Sequence, residues 1–425
     1  MRKHRLKPAT RDYGQARWEN VRRKFQSGNA GRQVGGSGVP NAPYRLPFSA
    51  YRQETPIDRK LKLWFNRARQ TKLRTELFRP MKSSALHKRL ALTLTASGLL
   101  AQTAFALITI ETVPVGNAGN TADPTTGYGA VGYDYGIGKY EVTLNQYNEF
   151  LNAVAKTDTY GLYNTQMGAL ASIMGISRSG TSGSFTYSVI GSGNHPVTYV
   201  SWYDSARFVN WLHNGQPVGL QAAGTTETGA YTLTGNTGIS LRNSGWVYGL
   251  PSENEWYKAA YHQPWDLGGD SDNYWLYPMA NNNNAIPRSR NGSTSDNLSA
   301  NYWWDDGIAN GFNGGYAVTG VRGFSSSQNY LADVGAFSLA DSFYGTFDQA
   351  GNAMEWNDAI IGSGRGLRGG AWNHVTYLAL SSGNRTSDGP GAEANNYGFR
   401  IVMIPEPSVA GMIMLGMALV AWKRK

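Results

Sequence analysis

No cysteine occurs among the 425 residues, and that absence removes disulfide staples and thiolate metal ligands together. Whatever this chain folds into must be held by its own core. About three hundred residues are enough for one, and one domain is the economical expectation. Charged residues make up 16%, against 52 Gly, 25 Tyr and 13 Trp. That mixture suits an ordered, loop-rich domain with aromatic packing and not a disordered segment. No internal repeat of twenty to fifty residues is present.

Both ends read as sorting segments. Residues 81–106 open on MKSSALHKR, continue through an apolar stretch and close on AFA, the three parts of a secretory signal peptide. Residues 405–425 run from PEPS through fourteen largely apolar residues to a terminal KRK. Fourteen helical residues reach about 21 Å, short of a bilayer core of about 30 Å, so this segment serves only transient membrane association. Its order resembles the PEP-CTERM sorting signal of exported bacterial proteins. The resemblance implies processing by a signal peptidase and an exosortase, transient inner-membrane anchoring, and a final place at the cell surface or in the extracellular matrix. Residues 1–80 carry twenty Lys and Arg against five Asp and Glu. Three readings of them stay open: a start called too early with Met81 the true initiator, a cytoplasmic extension obeying the positive-inside rule, or a basic arm containing Trp18 and Trp64. Residues 107–404 hold thirteen basic and twenty-three acidic side chains, a net of −10. The overall +10 thus belongs to the ends, and nucleic acid is not an expected partner of the domain.

Three helix starts are legible from their caps. Thr143 with Gln146, Ser201 with Asp204 and Ser252 with Glu255 each place a hydroxyl three residues before a side chain able to reach back, ahead of apolar residues at helical spacing. Short β-like runs follow at 185–190, 368–372 and 398–404. Helices in the first half and irregular strands in the second predict an α+β fold.

Five motifs in order then suggest a family. They are GKYEVT at 138–143, HPVTYVSWYD at 195–204, LPSENEW at 250–256, FDQAGNAMEW at 347–356, and RGGAW at 368–372 with Arg385 and the GFR ending at Arg400. This set resembles the formylglycine-generating, or sulfatase-modifying factor, domain over about residues 110–402. The resemblance implies a C-type-lectin-like α+β core, loop-rich with little regular secondary structure. It also implies an oxidase built on two copper-holding cysteines, and here the chemistry stops: no other side chain supplies that soft thiolate, so copper and formylglycine formation are excluded. The corresponding pocket would contain Trp372, Asn373, His374 and Arg385. Arg385 has the fork to clamp an anion, whereas Arg368 and Arg400 are expected in buried ion pairs or hydrogen bonds. By the same resemblance a structural calcium would be held by Asp348 and Glu355 and by the carbonyls of Gly351 and Ala353. Asn301 matches a ligand of a second calcium site. Two functions follow: a non-catalytic, lectin-like module binding extracellular polysaccharide or a surface protein, or an enzyme of cysteine-independent chemistry near His374 and Arg385.

Overall fold

The computed structural model describes residues 107–238, 240–282, 287–289 and 297–404. The basic extension, the leader and the C-terminal sorting segment lie outside the described residues, among which no helix is long and apolar enough to cross a membrane.

All three legible caps start helices. At helix α1 (Leu144–Val154), the Thr143 hydroxyl accepts the Gln146 amide at 3.3 Å and the Gln146 side chain accepts the Thr143 amide at 2.9 Å. Two of the four otherwise unpaired donors of the first turn are thereby satisfied. A single turn, α2 (Gln166–Ala169), follows without a side-chain cap, and nothing in the sequence marked it. Helix α3 (Trp202–His213) begins at Ser201 and helix α4 (Glu253–Tyr261) at Ser252, each with a complete capping box. The apolar stripes of α1 and α3 face the main core. Phe150 meets Phe208 edge-on at 5.4 Å, and Phe208 meets Phe399 at 5.3 Å. Each such fully buried ring contributes about 1.5–3 kcal/mol of transfer free energy, so these three rings, in contact through Phe208, tie two helices to the final motif.

The α3 cap has a pH consequence. Asp204 is buried, and burial, with the nearby Glu393 carboxylate adding to it, pushes its carboxyl up to about 7. A carboxyl raised on folding contributes stability that is fully present below its unfolded value near 4 and is lost as pH rises through about 7. Asp204→Asn keeps an acceptor for the Ser201 amide but carries no charge. Its melting temperature is therefore expected to gain on the parent's as pH goes from 5 to 8. A constant difference across that range would show that Asp204 does not titrate there.

Strands occupy both halves of the chain, so the expected division into helices first and strands later is not what the structure shows. One antiparallel sheet has the order β1 (Thr112–Val115), β2 (Tyr135–Gly138), β14 (Val402–Met403), β5 (Tyr248–Gly249). The last strand of the domain thus lies between a strand from its start and one from its middle. The second sheet runs β12 (Thr386–Asp388), β11 (Gly364–Arg368), β10 (Met354–Ile361), β13 (Tyr397–Gly398), with β10 and β13 parallel. The run at 185–190 pairs as β4 (Thr186–Val189) with β3 (Ile176–Ser179) in a hairpin, and two further pairs join β6 (Arg288–Ser289) to β7 (Ser299–Ala300) and β8 (Trp303–Asp305) to β9 (Gly314–Tyr316). The run at 368–372 is a strand only as far as Arg368. Gly369 and Gly370 take φ of 96° and 74°, a region L side chains rarely adopt. A Cβ on Gly369 would also lie 3.1 Å from the Gln349 carbonyl and 3.2 Å from the Trp256 ring. The chain therefore turns here and delivers Trp372 away from the sheet. Mixed helix and strand with few helices is the α+β content expected.

Candidate functional site

Four of the five motifs converge on one buried ion pair. Arg400, after β13, forks onto Glu355 of β10, with Nε to Oε2 at 2.6 Å and Nη2 to Oε1 at 2.7 Å. The same guanidinium donates to the carbonyls of Gly138, at 2.9 Å, and Phe347, at 2.8 Å. The Trp256 indole adds an N–H to Glu355 Oε2 at 2.8 Å. The remaining motif joins through β10's next residue, whose indole N–H reaches the Val200 carbonyl at 2.9 Å from Trp356. Both members of the ion pair are fully buried, where a carboxylate is tolerated only with such complete hydrogen bonding.

Glu355 is therefore not free in the way expected of a calcium ligand. Among the described residues no three His, Asp or Glu side chains assemble into one coordination sphere. A third carboxylate nevertheless belongs to this site, and the motif reading gave it no role. Glu141 is buried, and among the described residues its Oε1 takes only a long 3.4 Å contact from the Ala353 amide and its Oε2 has no partner. Burial, then the Asp348 and Glu355 charges, hold the Glu141 carboxyl well above its ordinary range. Asp348 sits at φ 59° and accepts the Gly335 amide at 2.6 Å. Burial pushes its carboxyl up to about 6. Three buried carboxyls face one guanidinium, an imbalance that protons or a hard cation must correct. Asp348 and Glu141 are thus the two carboxyls of the site that no arginine engages among the described residues, whereas Glu355 is engaged by Arg400. Asn301, beside Gly351, donates to the Tyr330 carbonyl and to Asn352 Oδ1, both at 2.9 Å, and joins two loops.

The expected pocket divides in two. Trp372 is buried and stacked on Tyr330 at 5.2 Å with a 7° interplanar angle, its indole N–H on the Asn395 carbonyl at 3.1 Å. Asn373 Oδ1 accepts the Asn396 amide at 3.0 Å. His374 Nδ1 is buried without a partner, and burial lowers the imidazole's pKa, keeping it neutral. Among the described residues no carboxylate bonds that ring. Arg385 does not join His374 in any bond or ring contact among the described residues. It forks onto Glu253 at 2.7 and 2.8 Å, and Arg368 donates to the same carboxylate at 2.9 Å. The expected anion clamp is thus an internal ion pair: Glu253 takes the place of the external anion. The buried roles expected of Arg368 and Arg400 are those the structure shows.

The motif order, the helix starts and this shared ion-pair centre describe a sulfatase-modifying-factor type of domain. Residues 112–404 match the family model described as sulfatase-modifying factor enzyme 1-like domain. The chain belongs to that family. Comparison with curated proteins returned no match. Similar solved structures include the Treponema denticola variable protein 1, at 18% identity and TM-score 0.37, covering 71% of this chain and 97% of that one. CarF is similar at 19% identity and TM-score 0.38, covering 71% and 100%. PvdO from Pseudomonas aeruginosa is similar at 16% identity and TM-score 0.34, covering 70% and 92%.

Proposed function

We propose that this chain is a non-catalytic binding module of its family, with a C-type-lectin-like arrangement, exported to the cell surface or extracellular matrix. It binds a polysaccharide or a surface protein there. The observation that carries this reading is the engagement of the charged side chains. Arg385, Arg368, Arg400, Glu253 and Glu355 all hold loops to one another, and chemistry on a substrate would need some of them free. The absence of cysteine separately excludes the copper oxidase. Calcium is the structural cofactor of this reading, with Glu141 and Asp348 among its donors. Export rests on the leader at 81–106 and the segment at 405–425, processed by a signal peptidase and an exosortase.

The alternative of an enzyme near His374 and Arg385 has one supporting observation, the unpartnered His374 Nδ1, and the turning of Arg385 onto Glu253 counts against it. The test incubates the natively exported protein with extracted matrix polysaccharide. Expected are protection of loop residues from proteolysis, a ligand of unchanged mass and linkage, and unaltered retention by His374→Ala. Chemical change in the polysaccharide that disappears in a folded His374→Ala variant would establish the enzyme instead.

A further inference from the structure

A cleft of about 350 Å³ opens between the loop after β1 and the segment after α4, lined among others by Asn117, Thr121, His262, Pro264 and Asn273. Its size lies in the range of small-ligand sites. No contact among the described residues connects it to Trp372, His374 or Arg385, so it is separate from the family pocket.

The lining presents neutral polar groups. Tyr344 gives its one hydroxyl proton to Asn117 Oδ1 at 3.0 Å, so the His262 Nδ1 at 2.7 Å from that hydroxyl is the N–H donor. Burial first, and the Lys258 ammonium second, push His262 down to about 4. The ring is therefore neutral, and its Nε2 is left as an acceptor. Asn273 Oδ1 accepts the Trp265 amide at 2.7 Å. The side-chain amide nitrogens of Asn117 and Asn273 and the Thr121 hydroxyl take no hydrogen-bond partner among the described residues. Donors and acceptors thus alternate without any charged side chain in the lining.

One exposed tryptophan directly follows a lining residue in the chain. Trp265 is 68% exposed, the only one of the ten described tryptophans in that class, and no ring or hydrogen bond engages its indole. Its backbone follows Pro264 and is bonded to Asn273, both of which line the cleft. The turn that carries it is tight. A Cβ on Gly269 would lie 2.0 Å from the Gln263 carbonyl, so the chain closes tightly on itself there. A flat apolar face beside neutral hydrogen-bonding groups matches the two sides of a pyranose ring.

We infer that this cleft, with Trp265 as its platform, is a binding site for a neutral saccharide unit. The inference rests on the binding-module reading above and names the site within it. Sugar hydroxyls pair with His262 Nε2, Asn117 and Asn273, and an apolar C–H face of the ring lies on the indole.

The experiment titrates the full, natively exported chain with neutral gluco-, manno-, galacto- and xylo-hexaoses, with oligoguluronate as the acidic probe, by calorimetry and tryptophan fluorescence. At least one neutral hexaose is expected to bind and to change the fluorescence. Trp265→Ala should weaken it by about tenfold or more at an unchanged melting temperature, while Trp265→Phe retains part of the affinity. Asn273→Ala, which also removes the acceptor of the Trp265 amide, should weaken it as much at a lowered melting temperature. Undiminished binding by folded Trp265→Ala and Asn273→Ala overturns the site and leaves the binding-module reading standing. Binding of oligoguluronate or native matrix polysaccharide, but of no neutral hexaose, does the same. If no saccharide and no extracted surface protein binds, both statements fall.

Discussion

Arg400→Leu is expected to cost about 3–5 kcal/mol, the usual consequence of removing one member of a buried ion pair. Against a total stability of about 5–15 kcal/mol, that is between about a fifth and all of it. The loss has two parts. Glu355 stays behind as a buried carboxylate beside Glu141 and Asp348, where only Trp256 still donates to it. The carbonyls of Gly138 and Phe347 also lose their donor, and with it the connection between the first and fourth motifs. Removing both charges in Arg400→Leu with Glu355→Leu should recover part of the loss, because the uncompensated charge is then gone. The pair of Lys139 with Glu111 supplies the contrast. Its side chains are 26% and 62% exposed, and Lys139→Ala should cost less than about 1 kcal/mol. Urea unfolding of the four proteins measures all of this. An Arg400→Leu variant within about 1 kcal/mol of the parent would mean that burial here is not what the geometry shows.

The same ion pair explains what the sequence made legible. Capping boxes are visible because donor and acceptor lie three residues apart, so Thr143, Ser201 and Ser252 each declared a helix before any tertiary contact was known. The long strand β10 was not visible. Glu355, Asn357 and Asp358 interrupt its apolar run, and only partners elsewhere make them tolerable inside a sheet. Glu355 needs Arg400, and Asp358 needs Tyr231 and Arg242, at 2.8 and 3.1 Å. Glu141 was overlooked for a related reason. It stands in a recognisable motif, but its importance comes from Asp348 and Glu355, more than two hundred residues later. Arg385 was misjudged because its partner Glu253 lies 132 residues earlier, within a motif that reads locally as nothing more than a helix start. Local hydrogen bonds are written in the sequence. The assignment of a charge to an internal or an external partner is not, because it depends on which loops meet.

Calcium removal is the second large effect expected, and Glu141 is the residue that decides its meaning. A cation bound only by the folded state at about a hundred times its dissociation constant adds about 2.7 kcal/mol, so a chelator should lower the melting temperature reversibly. If Glu141 and Asp348 are donors, both must be ionised to bind it. Burial holds Asp348 up near 6 and raises Glu141 well above its ordinary range. In the metal-free protein, raised carboxyls favour the fold below about 4 and cease to do so as pH rises through their folded values. Calcium takes over from the protons in that interval, so the stabilisation by calcium should be larger at pH 8 than at pH 5. Glu141→Gln separates this account from calcium binding elsewhere. The variant needs no proton to stay neutral, so its metal-free stability at pH 8 should equal or exceed the parent's, while its response to calcium is lost. A full calcium response in Glu141→Gln would place the ion away from Glu141. A parent whose melting ignores both calcium and chelator would leave protonation of Glu141 and Asp348 as the means by which three buried carboxyls coexist with one arginine.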